Sequence, residues 1–153
     1  MLRLIAIVVV CSAQVAFGAL QLRPYNETAF GMFLANDFNS DGVITRLELE
    51  SSFDKYDADG NGVETRREYT EFICATSPSL YQLSHYLFDE YDMNGDHHLR
   101  KEDYDALFDT MDIDKDGNVT ADEFIHYWEL VFPKYENVGQ HGHTFTHGNS
   151  ACH

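Results

Sequence analysis

Asp112-Ile113-Asp114-Lys115-Asp116-Gly117-Asn118-Val119-Thr120-Ala121-Asp122-Glu123 is the stretch on which the fold of this chain turns. Counting Asp112 as position 1, side-chain oxygens stand at positions 1, 3 and 5, glycine at 6, an apolar residue at 8 and glutamate at 12. Calcium is a hard cation that takes six to eight oxygens at about 2.3–2.6 Å. Alternate carboxylates on a tight turn, one backbone carbonyl at position 7 and a bidentate carboxylate at 12 therefore suit it. Gly117 fits because the turn at position 6 favours a backbone conformation that most side chains resist. The ligand set read from this loop is Asp112, Asp114, Asp116, Asn118 through its carbonyl, and Glu123.

Three more loops lie upstream. Asp37, Asn39, Asp41, Gly42, Ile44 and Glu48 fill positions 1, 3, 5, 6, 8 and 12 of the first, with Val43 supplying the carbonyl. The second has Asp57, Asp59, Asn61, Gly62, Val63 and Glu68 in place, but puts Glu64 at position 8. The third departs further: Asp92, Asn94 and Asp96 are sound ligands, yet position 6 is His97 and position 12 is Asp103. Aspartate is one methylene shorter than glutamate, so its bidentate reach is reduced, and His97 must accept a conformation uncommon outside glycine. A lone acidic turn is ordinarily a solvated loop, but four in one chain are not coincidence. Together they resemble the EF-hand family of helix–loop–helix calcium binders. The resemblance implies an all-α array, calcium in the first, second and fourth loops, and a third loop that is weak, magnesium-like or empty. In that family position 8 is normally aliphatic and pairs with a partner loop, so Glu64 leaves ligation intact and puts the second loop's β-pairing in question.

The loops begin 20, 35 and 20 residues apart. A 20-residue step leaves eight residues, 49–56, between the first two loops, so one helix must leave the first site and enter the second. That helix, over about 46–57, holds the two sites ~18 Å apart at 1.5 Å per residue. Neighbouring loops in one half therefore cannot zip together. A shift of 55 superposes Phe33 on Phe88, Asp37 on Asp92, Phe53 on Phe108, Asp57 on Asp112 and Glu68 on Glu123. The chain is an internal duplication of a helix–loop–helix–loop–helix unit, over about 25–76 and 78–132. If the second loop pairs with the third, a pseudo-two-fold makes the first pair with the fourth.

Apolar residues recur at helical spacing around the loops. Phe30, Phe33 and Leu34 mark the inner face of the entering helix; Leu49, Phe53 and Tyr56, then Tyr69, Phe72 and Ile73, mark the next two. Ser77-Pro78 opens a new helix, whose buried face is Leu80, Leu83, Leu87 and Tyr91. Tyr104, Leu107, Phe108 and Met111 follow the third loop; Phe124, Tyr127, Trp128 and Val131 follow the fourth, and Pro133 is expected to stop the last helix. These aromatics read as core, not as a cofactor pocket. Thr45, Thr65 and Thr120 precede Glu48, Glu68 and Glu123 by three residues, which is also the spacing of a helix capping box.

Met1 to Arg3 is a short basic start, Leu4 to Val10 an apolar run and Ala16-Phe17-Gly18 a small-x-small site, the pattern of a secretory signal peptide over 1–18. Ser12 and Gln14 break the run short of the ~20 apolar residues of a membrane anchor. Val10 before Cys11 fits a bacterial lipoprotein poorly, and the C-terminus is not a retention signal. A secreted, extracellular protein is expected, with its four-loop domain over 19–133. Without Arg3, nine basic residues stand against twenty-six acidic ones, a formal balance of −17. That surplus argues against nucleic acid or anionic membrane as partner, while the many aromatics argue against disorder. Ion binding is expected to be coupled to folding or compaction.

Asn26-Glu27-Thr28 is an N-glycosylation sequon; Asn118-Val119-Thr120 also matches, but inside a calcium loop, where it is accidental. Residues 134–153 read as a flexible tail rich in histidine. His141, His143, His147, Cys152 and His153 suit zinc, copper or nickel, though their spacing matches no standard zinc site, and a solvated tail is the blander alternative. Cys74 and Cys152 are joined, free, or bonded between chains.

Two functions compete. One is a secreted calcium-ion binder, acting as an extracellular buffer or in a matrix or biomineral. The other is a calcium-dependent sensor that opens a helix groove for a protein partner. Such sensors expose Met-rich grooves, and the mature chain has only Met32, Met93 and Met111. With no nucleophile elbow, Gly-rich phosphate loop or acid–base pair outside the ion loops, an enzyme is not expected.

Overall fold

The structure, a computed structural model, describes residues 22–76 and 81–135. Its elements follow the loops. α1 (Tyr25–Asn36) enters the first loop, β1 (Val43–Thr45) lies within it and α2 (Arg46–Tyr56) leaves it for the second. α3 (Arg66–Thr76) closes the first unit. α4 (Tyr81–Tyr91), α5 (Lys101–Met111), β2 (Asn118–Thr120) and α6 (Ala121–Tyr135) repeat the plan. Adding 55 to the bounds of α2 gives those of α5, so the duplication seen in sequence is a duplication of elements.

Each helix ends where its loop needs a ligand. The N–H groups of Asp37, Asp57, Asp92 and Asp112 bond the carbonyls of Phe33, Phe53, Phe88 and Phe108, 2.9–3.0 Å away. Each aspartate thus takes the last helical hydrogen bond while its side chain turns into the loop. At the other end of the loops, the Thr45, Thr65 and Thr120 hydroxyls accept from the backbone N–H of Glu48, Glu68 and Glu123. The capping boxes are therefore formed, and they start α2, α3 and α6.

The helices nest as pairs: α1 on α6, α2 on α5 and α3 on α4. Between the shared helices α2 and α5 the contact is reciprocal. Arg46 at the start of α2 reaches Asp105 (2.8 Å) and Asp109 (2.5 Å) on α5, with its guanidinium 4.5 Å from the Phe108 ring centroid. Lys101, its equivalent under the shift of 55, reaches Asp54 on α2 at 2.9 Å and lies near Phe53. Arg66 makes the same reach from α3 to Asp89 and over Phe88 on α4. Between α1 and α6 the equivalent residues are Leu34 and Ala121, and the contact is apolar, with Phe33 edge-on to Phe124 at 5.8 Å.

The loops pair as the pseudo-two-fold requires. β1 and β2 run antiparallel with Val43 opposite Thr120, Ile44 opposite Val119 and Thr45 opposite Asn118, which joins the first loop to the fourth. Glu64 and Leu99 join the second to the third by two backbone hydrogen bonds, 2.9 and 3.0 Å. Glutamate at position 8 therefore does not cost the second loop its pairing, because the bridge is made by the main chain. The Glu64 side chain turns into the core instead.

Two other expectations are corrected. Phe33 is buried as expected, but Phe30 and Leu34 are exposed, because α1 meets α6 through Ala29 and Phe33 at i, i+4. Pro133 does not stop the last helix. α6 runs through it to Tyr135. Proline has no N–H to give the carbonyl of Glu129 four residues back, and that residue faces water, where the loss is cheapest. Phe132 is fully buried, and Lys134 and Tyr135 bond Glu90 on α4, tying down the turn beyond the proline. The Ser77-Pro78 helix start, the signal segment 1–18 and tail residues 136–153 lie outside the described residues. No helix among the described residues is long and apolar enough to cross a membrane.

Candidate metal sites

All four loops are built on one frame. Positive φ at position 4 (Ser40, Gly60, Gly95, Lys115) and at position 6 (Gly42, Gly62, His97, Gly117) turns successive backbone N–H groups inward. His97 adopts this conformation at φ 65° in place of glycine. The position-1 carboxylates then accept from the N–H of positions 5 and 6. Asp37 takes Asp41 (3.1 Å) and Gly42 (3.0 Å), and Asp112 takes Asp116 (3.2 Å) and Gly117 (3.0 Å). Asp57 and Asp92 do the same in the second and third loops. Oxygens of Asn39, Asp59, Asn94 and Asp114 at position 3 accept from the position-5 N–H at 2.8–3.1 Å. Asp41, Asn61, Asp96 and Asp116 accept from the N–H of position 7 at 2.8–3.1 Å. The backbone holds these oxygens toward one centre, which is the preorganisation a hard cation needs.

The loops differ at their far ends. In the first, Glu48 closes the ring: one carboxylate oxygen accepts from Phe38 and Asn39 N–H (3.0 and 3.2 Å), the other from Thr45 N–H and hydroxyl (2.9 and 2.8 Å). Glu123 repeats this in the fourth loop with Ile113, Asp114 and Thr120. Partial burial works against the charge of Glu48 and Glu123. The hydrogen bonds from Thr45 or Thr120 and from the loop backbone outweigh it and hold both carboxyls below the usual range. Glu68 keeps the threonine half of the pattern, accepting from Thr65 N–H (2.9 Å) and hydroxyl (2.7 Å).

Those geometries fit a divalent ion. Asp57, Asp59 and Glu68 bring three carboxylate oxygens within 4.8 Å of one another, and so do Asp112, Asp114 and Glu123. The first loop has the same frame with Asn39 at position 3, so amide oxygen replaces one carboxylate. Val43, Val63 and Asn118 stand at position 7 to offer a carbonyl.

Loop three closes on itself. Asn94 donates its side-chain amide to Asp103 at 3.0 Å, Arg100 donates its backbone N–H to Asp103 at 3.0 Å, and the Arg100 guanidinium lies 2.6 Å from Asp96. Burial first, with Asp92 and Asp96 nearby, raises the Asp103 carboxyl despite its hydrogen bonds, the opposite of Glu48 and Glu123. Position 9 is threonine in the other loops and Arg100 here. Its i, i+4 spacing from Asp96 was readable in sequence, but nothing in the ligand pattern drew notice to it.

Glu64 is the other feature the ligand pattern passes over. It is 0 % exposed; one carboxylate oxygen accepts from the Tyr104 hydroxyl at 2.9 Å, and the other has no hydrogen-bond partner among the described residues. Burial pushes its carboxyl up to about 8. It sits among aromatic rings that run from Tyr56 through Tyr69 and Tyr91 to Tyr104, with neighbouring centroids 5.2–5.8 Å apart.

Asn26 of the sequon is exposed on the first turn of α1, where the Thr28 hydroxyl donates to the Leu22 carbonyl at 3.0 Å. Cys74 on α3 is disulfide-bonded to a partner outside the described residues. The tail histidines His141, His143, His147 and His153 and Cys152, offered for zinc or copper, also lie outside them.

A family model described as EF hand matches residues 104–126, which cover α5 from Tyr104 onward, the fourth loop and the start of α6. No curated protein and no solved structure matches the chain.

Proposed function

Taking the helix–loop–helix at 104–126 as an EF hand, and calcium ions as what it binds, we propose that the whole chain is a secreted calcium-ion binder of several sites, an extracellular buffer or matrix-associated protein. The observation that carries this reading is the repetition of one ligand frame four times, with the position-12 glutamates of the first and fourth loops held in their charged form. Asp37, Asn39, Asp41, Val43 and Glu48 hold one ion; Asp57, Asp59, Asn61, Val63 and Glu68 a second; Asp112, Asp114, Asp116, Asn118 and Glu123 a third. The ion's contribution is charge: it neutralises carboxylates that otherwise repel one another and ties both ends of each loop together. Extracellular modules work at dissociation constants of about 10⁻⁴–10⁻³ M, so such sites need not bind tightly to be filled outside the cell. The apolar start over residues 4–10 supports export, and the shortage of methionine supports a buffer over a groove-opening sensor.

An apolar probe dye separates these roles. A buffer leaves dye fluorescence level or lowers it when calcium is added to the chelator-treated protein. A rise of several-fold overturns the buffer reading in favour of a sensor. Export is tested by expressing the chain with residues 1–18 in place: the protein accumulates in the medium with its N-terminus at residue 19, and retention in the cell contradicts it.

A further inference from the structure

We propose that the third loop is a metal-free brace in which Arg100 stands in for the cation, and that it serves to hold the second loop in shape for calcium. The proposal rests on the calcium reading above and deepens it.

Arg100 takes position 9, where Thr45, Thr65 and Thr120 stand in the other loops and donate their hydroxyls to the position-12 glutamate. Freed from that role, its side chain reaches across to Asp96 at position 5, and its positive charge faces an oxygen that elsewhere is a metal ligand. Asn94, at position 3, turns its amide to Asp103 at position 12 and draws the loop's two ends together. The loop is thus closed by its own donors. An exposed ion pair adds little to overall stability, so Arg100 acts locally, on whether this loop keeps its turn without an ion.

The two neighbours of this closed turn grip the second loop. Leu99, beside Arg100, exchanges both backbone hydrogen bonds with Glu64. Tyr104, beside Asp103, donates its hydroxyl to the buried Glu64 carboxylate. Glu64 in turn lies between Val63, the position-7 residue of the second loop, and Thr65, which caps Glu68. Two hydrogen bonds from a loop that keeps its shape, and one from the first turn of α5 that the loop starts, therefore fix the residue joining two elements of the second site. Arg100 and Tyr104 are positioning residues for an ion that neither touches.

Amide hydrogen exchange on the full chain, with and without chelator, tests this together with calorimetric calcium titration of wild type, Arg100→Gln and Arg100→Lys. In chelator, wild-type Leu99 and Glu64 amides exchange slowly. Arg100→Gln speeds them at least tenfold and weakens the calcium equivalent that Glu68→Gln deletes, whereas Arg100→Lys restores both. Equal exchange in wild type and Arg100→Gln overturns the proposal. So does uptake of one ion by a Glu48→Gln, Glu68→Gln, Glu123→Gln triple variant, which assigns a cation to the third loop. Failure of the wild type to take up calcium in any loop refutes the calcium reading itself, while the exchange rates in chelator still judge the brace.

Discussion

At the scale of single residues, the loops differ most at position 12, which is glutamate in three of them and Asp103 in the third. Glu48 and Glu123 are fixed from both ends, by threonine on one oxygen and by loop N–H groups on the other. Glu48→Gln and Glu123→Gln should each delete about one calcium equivalent in a calorimetric titration, and Asp103→Asn should delete none. Glu64 gives a second expectation. Its carboxyl is raised from 4.5 to about 8 in the fold, so the native state binds the proton more tightly than the unfolded chain. Its contribution to stability is complete below about pH 4.5 and is lost as pH rises through about 8. Chelator-treated wild type should lose thermal stability across that window, and Glu64→Gln should remove that part of the pH dependence; a parallel fall in the variant contradicts the assignment. The carboxylates that the second and fourth loops bring together were legible in sequence because loop spacing sets which side chains converge. The burial of Glu64 was not, because side-chain chemistry at position 8 says nothing about a bridge that the main chain makes.

Among the elements, the two shared helices carry the architecture. α2 and α5 each end two loops, and each presents a phenylalanine at the same place, Phe53 and Phe108, beneath a cation from the other. Phe53 is 1 % exposed, so Phe53→Ala should cost about 3–5 kcal/mol in chemical denaturation. Leu34→Ser on the exposed side of α1 should stay within about ±0.5 kcal/mol, although helical spacing alone places Leu34 inside. Periodicity marks an apolar stripe but not which edge of it the neighbouring helix covers. α1 meets α6 along Ala29 and Phe33, and an alanine carries too little apolar weight to be noticed. Pro133 departs from the sequence expectation for a related reason. Propensity argues for a stop, yet Phe132 in the core and the contacts of Lys134 and Tyr135 with Glu90 hold another turn in place.

Across the whole molecule, nested helix pairs bring the first loop to the fourth and the second to the third, and this followed from loop spacing once the repeat was recognised. A 20-residue step cannot bring its own two loops together, so the duplication forces pairing across the units. The acidic surplus gathers in those loops, and filling them should compact and stabilise the entire domain. Trp128 reports on this, being fully buried on α6 against Phe124 and Phe132. Its emission should shift on calcium addition and lose that response in Glu123→Gln. The central claim is tested most directly by calorimetric titration of the chelator-treated domain with calcium. Three ions should bind, with helicity and melting temperature rising as they do. No heat of binding at millimolar calcium, with helicity and melting temperature unchanged, would contradict it.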